Sequence, residues 1–189
     1  AAADAVESRR QWRQLQLHAP DHPELAGFAT LCSGLEARSQ PRASSGTSVQ
    51  QKLHGLQDLS SIAIRLLGAR SHDYLRILWR DLALALNGYA FDKDHPELHS
   101  SHALAQAKDW QGVIEAIQME VYWWLHAGLC QRLAEARSKL GDRPGAIAAC
   151  CHLCWHTAEA TAYLRQRGQF SVDIQRYWKA FEETEDLLE

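Results

Sequence analysis

Apolar residues recur along most of this chain at intervals of three and four, the spacing that gives a helix one buried side. Val6, Trp12 and Leu15 predict a helix over about 4–17 that Pro20 stops, and Leu25, Phe28, Leu31, Cys32 and Leu35 predict a second ending near Arg38. Residues 39–48 hold Pro, Gly and five Ser or Thr and no large apolar side chain, so a flexible linker is expected there. Val49, Leu53, Leu56, Leu59, Ala63 and Leu66 then define a third helix from about Ser48 to Leu67, closed by Gly68. A fourth follows from Ser71, with Tyr74, Leu75, Leu78, Trp79, Leu82 and Leu86 on a broad apolar side and a stop at Asn87-Gly88.

The sequence Asp-His-Pro-Glu-Leu occurs at Asp21 and again at Asp94, and each copy offers a capping Asp followed by a Pro tolerated in the first helical turn. On that reading a helix opens at Asp94 and carries His95, His99 and His102 at i, i+4 and i+7, a stripe of imidazoles on a solvated polar face. The Pro-free stretch Trp110–Leu140 is too long for one arm of a hairpin, and a break is expected around Leu125 to Gly128. A last helix is expected over about 171–187, with Ile174, Tyr177, Trp178 and Phe181 on its apolar side. The fold class that results is all-α, with about eight helices arranged as stacked antiparallel hairpins or as an irregular bundle. The expected organisation is an N-terminal hairpin over 1–38, the linker 39–48, and one helical array over 49–189.

Within that array a short pattern occurs twice. Lys108-Asp109-Trp110-Gln111-Gly112-Val113-Ile114 aligns with Gly141-Asp142-Arg143-Pro144-Gly145-Ala146-Ile147 at an offset of 33 residues. Each copy reads as a helix end, a tight turn at Asp and the start of a second helix, and a period of that size marks stacked helical hairpins. The run Ser138-Lys139-Leu140-Gly141-Asp142-Arg143-Pro144-Gly145-Ala146-Ile147 resembles the turn of a tetratricopeptide repeat, with Leu133 and Ala134 falling where the family's first helix places its Leu and its small residue. In the earlier copy Ser100 and Ser101 occupy those positions, and the likeness spans about residues 94–170. The resemblance implies a non-enzymatic module that binds a peptide or protein along the first helices of its hairpins. The residues it places there are Gln131, Glu135 and Lys139 in the later copy and His95, His102 and Gln106 in the earlier one. Two copies are fewer than the roughly three that an array needs to cover its faces, so the preceding helices are expected to cap it.

Composition narrows the function further. A formal charge of −3 and a mildly basic first half give no footprint for nucleic acid. No apolar run approaches the roughly 18 residues of a membrane span, and the N-terminal stretch lacks a signal-peptide core, so a cytoplasmic protein is expected. Seven tryptophans are many for 189 residues, and adjacent Trp123 and Trp124 diverge by about 100° on a helix, which suits one to a core and the other to an interface, with core packing of both as the alternative. A protein or peptide partner is therefore expected, a second copy of the chain among the candidates.

Cysteine and histidine offer the competing chemistry. Cys150, Cys151, His152, Cys154 and His156 are close in sequence, and the pairs 150/154 and 152/156 share a helix face with ligand types suited to zinc. All lie in one predicted helix, whereas a structural zinc site draws ligands from two segments, and buried cysteine is common core material. Core packing is the reading adopted and no cofactor is expected; a metal-binding or redox-sensing helical bundle is the alternative. No phosphate loop, nucleophile elbow or His-Glu-x-x-His motif is present, so an enzyme is not expected.

Overall fold

A computed structural model describes residues 2–39 and 48–156, together with Arg176 and Lys179. The protein is all-α: among the described residues there are eight α-helices, joined in three places by short 3-10 turns, and no strand. Residues 40–47, in the expected linker, and the predicted helix over 171–187, apart from helical Arg176 and Lys179, lie outside the described residues. The chain divides into two compact units, Ala1–Leu82 and Ala83–Glu189.

In the first unit, α1 (Ala2–His18) and α2 (Leu25–Ser39) form a hairpin. Trp12 Nε1 donates to the Leu25 carbonyl at 3.3 Å, Cys32 Sγ donates to the Ser8 carbonyl at 3.6 Å, and Arg9 Nε pairs with Glu36 Oε1 at 3.0 Å. The start of α2 meets Trp12, and its later residues Cys32 and Glu36 meet Ser8 and Arg9 earlier in α1, so the two run antiparallel. The next helix, α3 (Val49–Leu67), has a complete capping box: Gln51 N donates to Ser48 Oγ at 3.2 Å and Ser48 N donates to Gln51 Oε1 at 3.1 Å. Its buried residues Leu53, Leu56, Leu59 and Ala63 are those the periodicity picks out, and it ends as expected at Gly68, whose φ is +53°.

Close packing of α3 on α2 is made possible by two glycines one heptad apart. A β-carbon on Gly27 would lie 2.7 Å from Leu66 Cδ1, and one on Gly34 would lie 2.8 Å from Leu59 Cδ2 and 2.7 Å from the Tyr74 hydroxyl. Tyr74 is on α4 (Ser71–Ala85), and its hydroxyl donates to the Leu31 carbonyl at 2.7 Å. An Arg65–Glu24 ion pair joins α3 to the turn before α2. The helix Val49–Leu67 thus packs with the N-terminal hairpin.

The second unit contains α5 (Ser100–Gln106), α6 (Trp110–Gln118), α7 (Ala127–Lys139) and α8 (Arg143–His156). Consecutive helices pack on one another, and α5 also reaches α7. Val113, Ile117, Leu129, Leu133, Ala134, Ala149 and Leu153 form the core, closed at its edges by half-buried Trp110, Trp123 and Phe91. Each fully buried Leu or Ile there contributes about 1.5–3 kcal/mol by removal from water. The break expected in Trp110–Leu140 exists and is broader than predicted, running from Met119 to His126 around a 3-10 turn at Trp123–Leu125.

The 33-residue offset is reproduced as a turn built twice. Asp109 N donates to the Leu104 carbonyl and Asp142 N to the Arg137 carbonyl, both at 2.9 Å. Lys108 N bonds to Ala105 O at 2.9 Å, and its counterpart Gly141 N bonds to Ser138 O at 3.0 Å. Each Asp then caps the following helix, accepting from Gly112 N at 3.2 Å or Gly145 N at 3.0 Å. The residue before each Asp is left-handed, with φ +55° at Lys108 and +80° at Gly141.

Candidate interaction site

The helix expected from Asp94 does not form. Pro96–Leu98 is a 3-10 turn and His99 is extended at φ −90°, ψ 140°, so α5 opens only at Ser100. His95, His99 and His102 therefore do not share a helix face. The physical reason is the same in both Asp-His-Pro-Glu-Leu copies: the Leu amide closes a tight turn onto the His carbonyl, Leu25 N to His22 O at 3.1 Å and Leu98 N to His95 O at 3.0 Å. Asp21 and Asp94 thus precede a turn and cap no helix. Histidine rings serve near both helix starts, His22 Nδ1 accepting from Glu24 N at 3.2 Å and His99 Nδ1 from Ser101 N at 3.3 Å.

His99 is buried, not solvated, and lies in a polar seam that periodicity gives no sign of. Arg132 on α7 donates through Nη2 to the Pro96 carbonyl at 2.7 Å and through Nη1 to Ser101 Oγ at 3.1 Å. Ser101 Oγ lies 2.7 Å from His99 Nδ1, and His99 Nε2 lies 3.3 Å from Glu120 Oε1, which also accepts from Phe91 N at 3.2 Å. Because Nδ1 already accepts from the Ser101 amide, the ring proton belongs on Nε2 and the serine hydroxyl donates to Nδ1. The seam thus runs in one direction, from guanidinium to carboxylate.

Serine, histidine and glutamate in line suggest a hydrolytic triad, but Ser101 is 0% exposed and its oxygen already accepts from Arg132. No substrate reaches it. Its place is that of Ala134 in the later copy, equally buried at 1%, which explains why a small residue is required and why a hydroxyl is tolerated only with partners on both sides. Burial pushes the His102 pKa down to about 4, helped by the nearby Arg132 charge and opposed by Glu97. Burial likewise lowers Arg132, to about 10, and lowers His99 despite the Glu120 carboxylate.

Of the residues placed on a binding face by the tetratricopeptide resemblance, His95, Gln106 and Lys139 are exposed, while Gln131, Glu135 and His102 are half-buried. Gln131, Glu135 and Lys139 follow one another by four along α7, and His102 and Gln106 do so along α5. His95 precedes the 3-10 turn and stands apart from both rows.

The cysteine cluster divides. Cys150 is buried in the core, Cys151 is half-buried, and His152 sets its ring edge-on to Trp123 with centroids 5.3 Å apart. Cys154 and His156 fall in the last turn of α8 and their side chains lie outside the described residues. Among the described residues no three His, Cys, Asp or Glu side chains are grouped as metal ligands would be. Cys130, which the sequence reading did not single out, is fully buried, donates to the Trp124 carbonyl at 3.5 Å, and is pushed by burial up to about 11.

The most distinctive surface lies between α6 and α7. Within seven residues Met119, Val121, Tyr122 and Leu125 are 85%, 72%, 58% and 51% exposed. The backbone beneath them is fixed: Tyr122 is left-handed at φ +63°, Leu125 N returns to the Tyr122 carbonyl at 2.9 Å, and Glu120 is anchored by Phe91 and His99. Trp123 packs on the core, and half-buried Trp124 meets Tyr122 and Trp123 edge-on at 5.5 and 5.9 Å. Both tryptophans are half-buried in the 3-10 turn, and the exposed apolar area belongs to the neighbours Met119, Val121, Tyr122 and Leu125. Comparison with protein-family models, curated proteins and solved structures finds no match to this chain.

Proposed function

We propose that this chain is a non-enzymatic protein-interaction module that holds an apolar segment of a protein or peptide against the connection between α6 and α7. The observation that carries this reading is the cluster of exposed Met119, Val121, Tyr122 and Leu125 on a backbone held by its own hydrogen bonds. Soluble proteins seldom leave such side chains together in water without a partner to cover them. A fixed backbone also lowers the ordering cost of association, because the aromatic side chains are already packed against one another. The tetratricopeptide-like reading adds Gln131, Glu135 and Lys139 on α7 as polar contacts along that helix.

The test is affinity capture from cell extract with the full chain and with a Met119→Asp/Leu125→Asp double variant, identified by mass spectrometry, alongside sedimentation of each protein alone. A specific partner retained by the parent and weakened at least about tenfold by the variant supports the proposal. A self-association removed by the same substitutions would make the partner a second copy. A partner bound equally by both proteins, or a strictly monomeric chain that retains nothing, overturns it.

A further inference from the structure

A cavity of about 310 Å³ opens within the first unit between α1, α2 and the start of α4. Its apolar walls are Trp12, Leu15, Phe28, Leu31, Leu35 and Leu67. The same helix α2 that turns Gly27 and Gly34 towards α3 turns Phe28, Leu31 and Leu35 into this space. One flank of α2 is thus packed too closely to accept a β-carbon while the adjoining flank leaves a hollow lined by large side chains. Most of these walls are half-buried and the pocket is partly open to solvent, with a volume at the lower end of the range of small-molecule sites.

Four of the polar side chains at the wall direct a donor to another partner. Trp12 Nε1 donates to the Leu25 carbonyl, Cys32 Sγ to the Ser8 carbonyl, Tyr74 to the Leu31 carbonyl, and Gln11 Nε2 to Glu7 Oε1 at 3.1 Å. Among the described residues no charged side chain lines the space, and the two charges that act on Cys32 at its wall, Arg9 and Glu36, are paired with each other at 3.0 Å. A charged guest would lose hydration against the apolar walls, whereas an uncharged apolar one would lose nothing it needs.

We infer that this cavity is a binding site for a small, uncharged, apolar molecule of about two fused rings or an equivalent branched hydrocarbon. The site is separate from the α6–α7 surface and stands whether or not that surface binds a protein. Its walls place four leucines, Leu15, Leu31, Leu35 and Leu67, where their methyl groups would touch the guest.

The full chain, labelled at leucine methyl groups, is titrated with 2-methylnaphthalene and with its charged counterpart 2-naphthoate, and followed by NMR. The expected result is a saturable shift of those four leucines with the neutral compound, intermolecular nuclear Overhauser effects to their methyls, and binding of the carboxylate at least about tenfold weaker. Leu35→Trp, which fills the space, should weaken the neutral compound by about tenfold or more. The contacts seen in the unsubstituted chain stand as a test even where the larger side chain disturbs folding. Absence of saturation, Overhauser contacts confined to other residues, or equal binding of both compounds overturns the assignment.

Discussion

Arg132 and His102 show how much of the second unit's behaviour rests on single polar side chains held away from water. The unfolded chain protonates His102 near the ordinary value of 6.5, whereas the folded chain resists until about 4. Above about pH 6.5 both states hold it neutral and its full contribution to stability is present. As pH falls towards 4 the unfolded state takes up the proton first, so stability declines across that window. His102→Gln should flatten this part of the profile, read as the difference in melting temperature between pH 7.5 and pH 4.5 for the two proteins; parallel profiles would contradict it. Arg132 spans Pro96 O and Ser101 Oγ with two different nitrogens, a fork that lysine cannot reproduce. Arg132→Lys should cost about 1–3 kcal/mol in urea unfolding, the range for losing a hydrogen bond to a charged group and leaving a buried acceptor unmet.

At the scale of elements, the twice-built turn makes predictions of opposite sign at equivalent positions. Gly141 is left-handed at φ +80°, so Gly141→Ala should destabilise by about 1 kcal/mol. Lys108 holds the matching position at φ +55° with a side chain that disfavours it, so Lys108→Gly should raise stability by about 0.5 kcal/mol after the added freedom of the unfolded chain is counted. Calorimetric melting of the two variants checks both signs. This turn was legible in sequence because Asp, Gly and the following apolar pair are each demanded by backbone geometry. The third helix was legible because its leucines follow one period and Gly68 closes it. The start of α5 was not. A Pro at the first helical position and a Pro inside a 3-10 turn look alike in sequence, and only the extended backbone of His99 separates them. The seam from Arg132 to Glu120 joins residues from three separate segments, and no local pattern announces such a meeting.

At the scale of the whole molecule, the chain is two helical units, each with its own unusual feature: a hollow with apolar walls in the first, and an exposed apolar connection in the second. The sequence drew attention to Trp123 and Trp124, since their adjacency on a helix divides them between core and surface. It could not show that the helix stops before them, and it is this stop, with Tyr122 in the left-handed region, that brings Met119, Val121 and Leu125 to the surface. A role in protein interaction requires that this surface touch a partner. A photo-crosslinking amino acid placed at Val121, with one at exposed Gln57 on α3 as control, tests this most directly in cells that make the full chain. The expected result is one dominant crosslinked protein at position 121, a second copy of the chain included, that is missing at position 57. Equal crosslinking at the two positions, or none at 121, would contradict it.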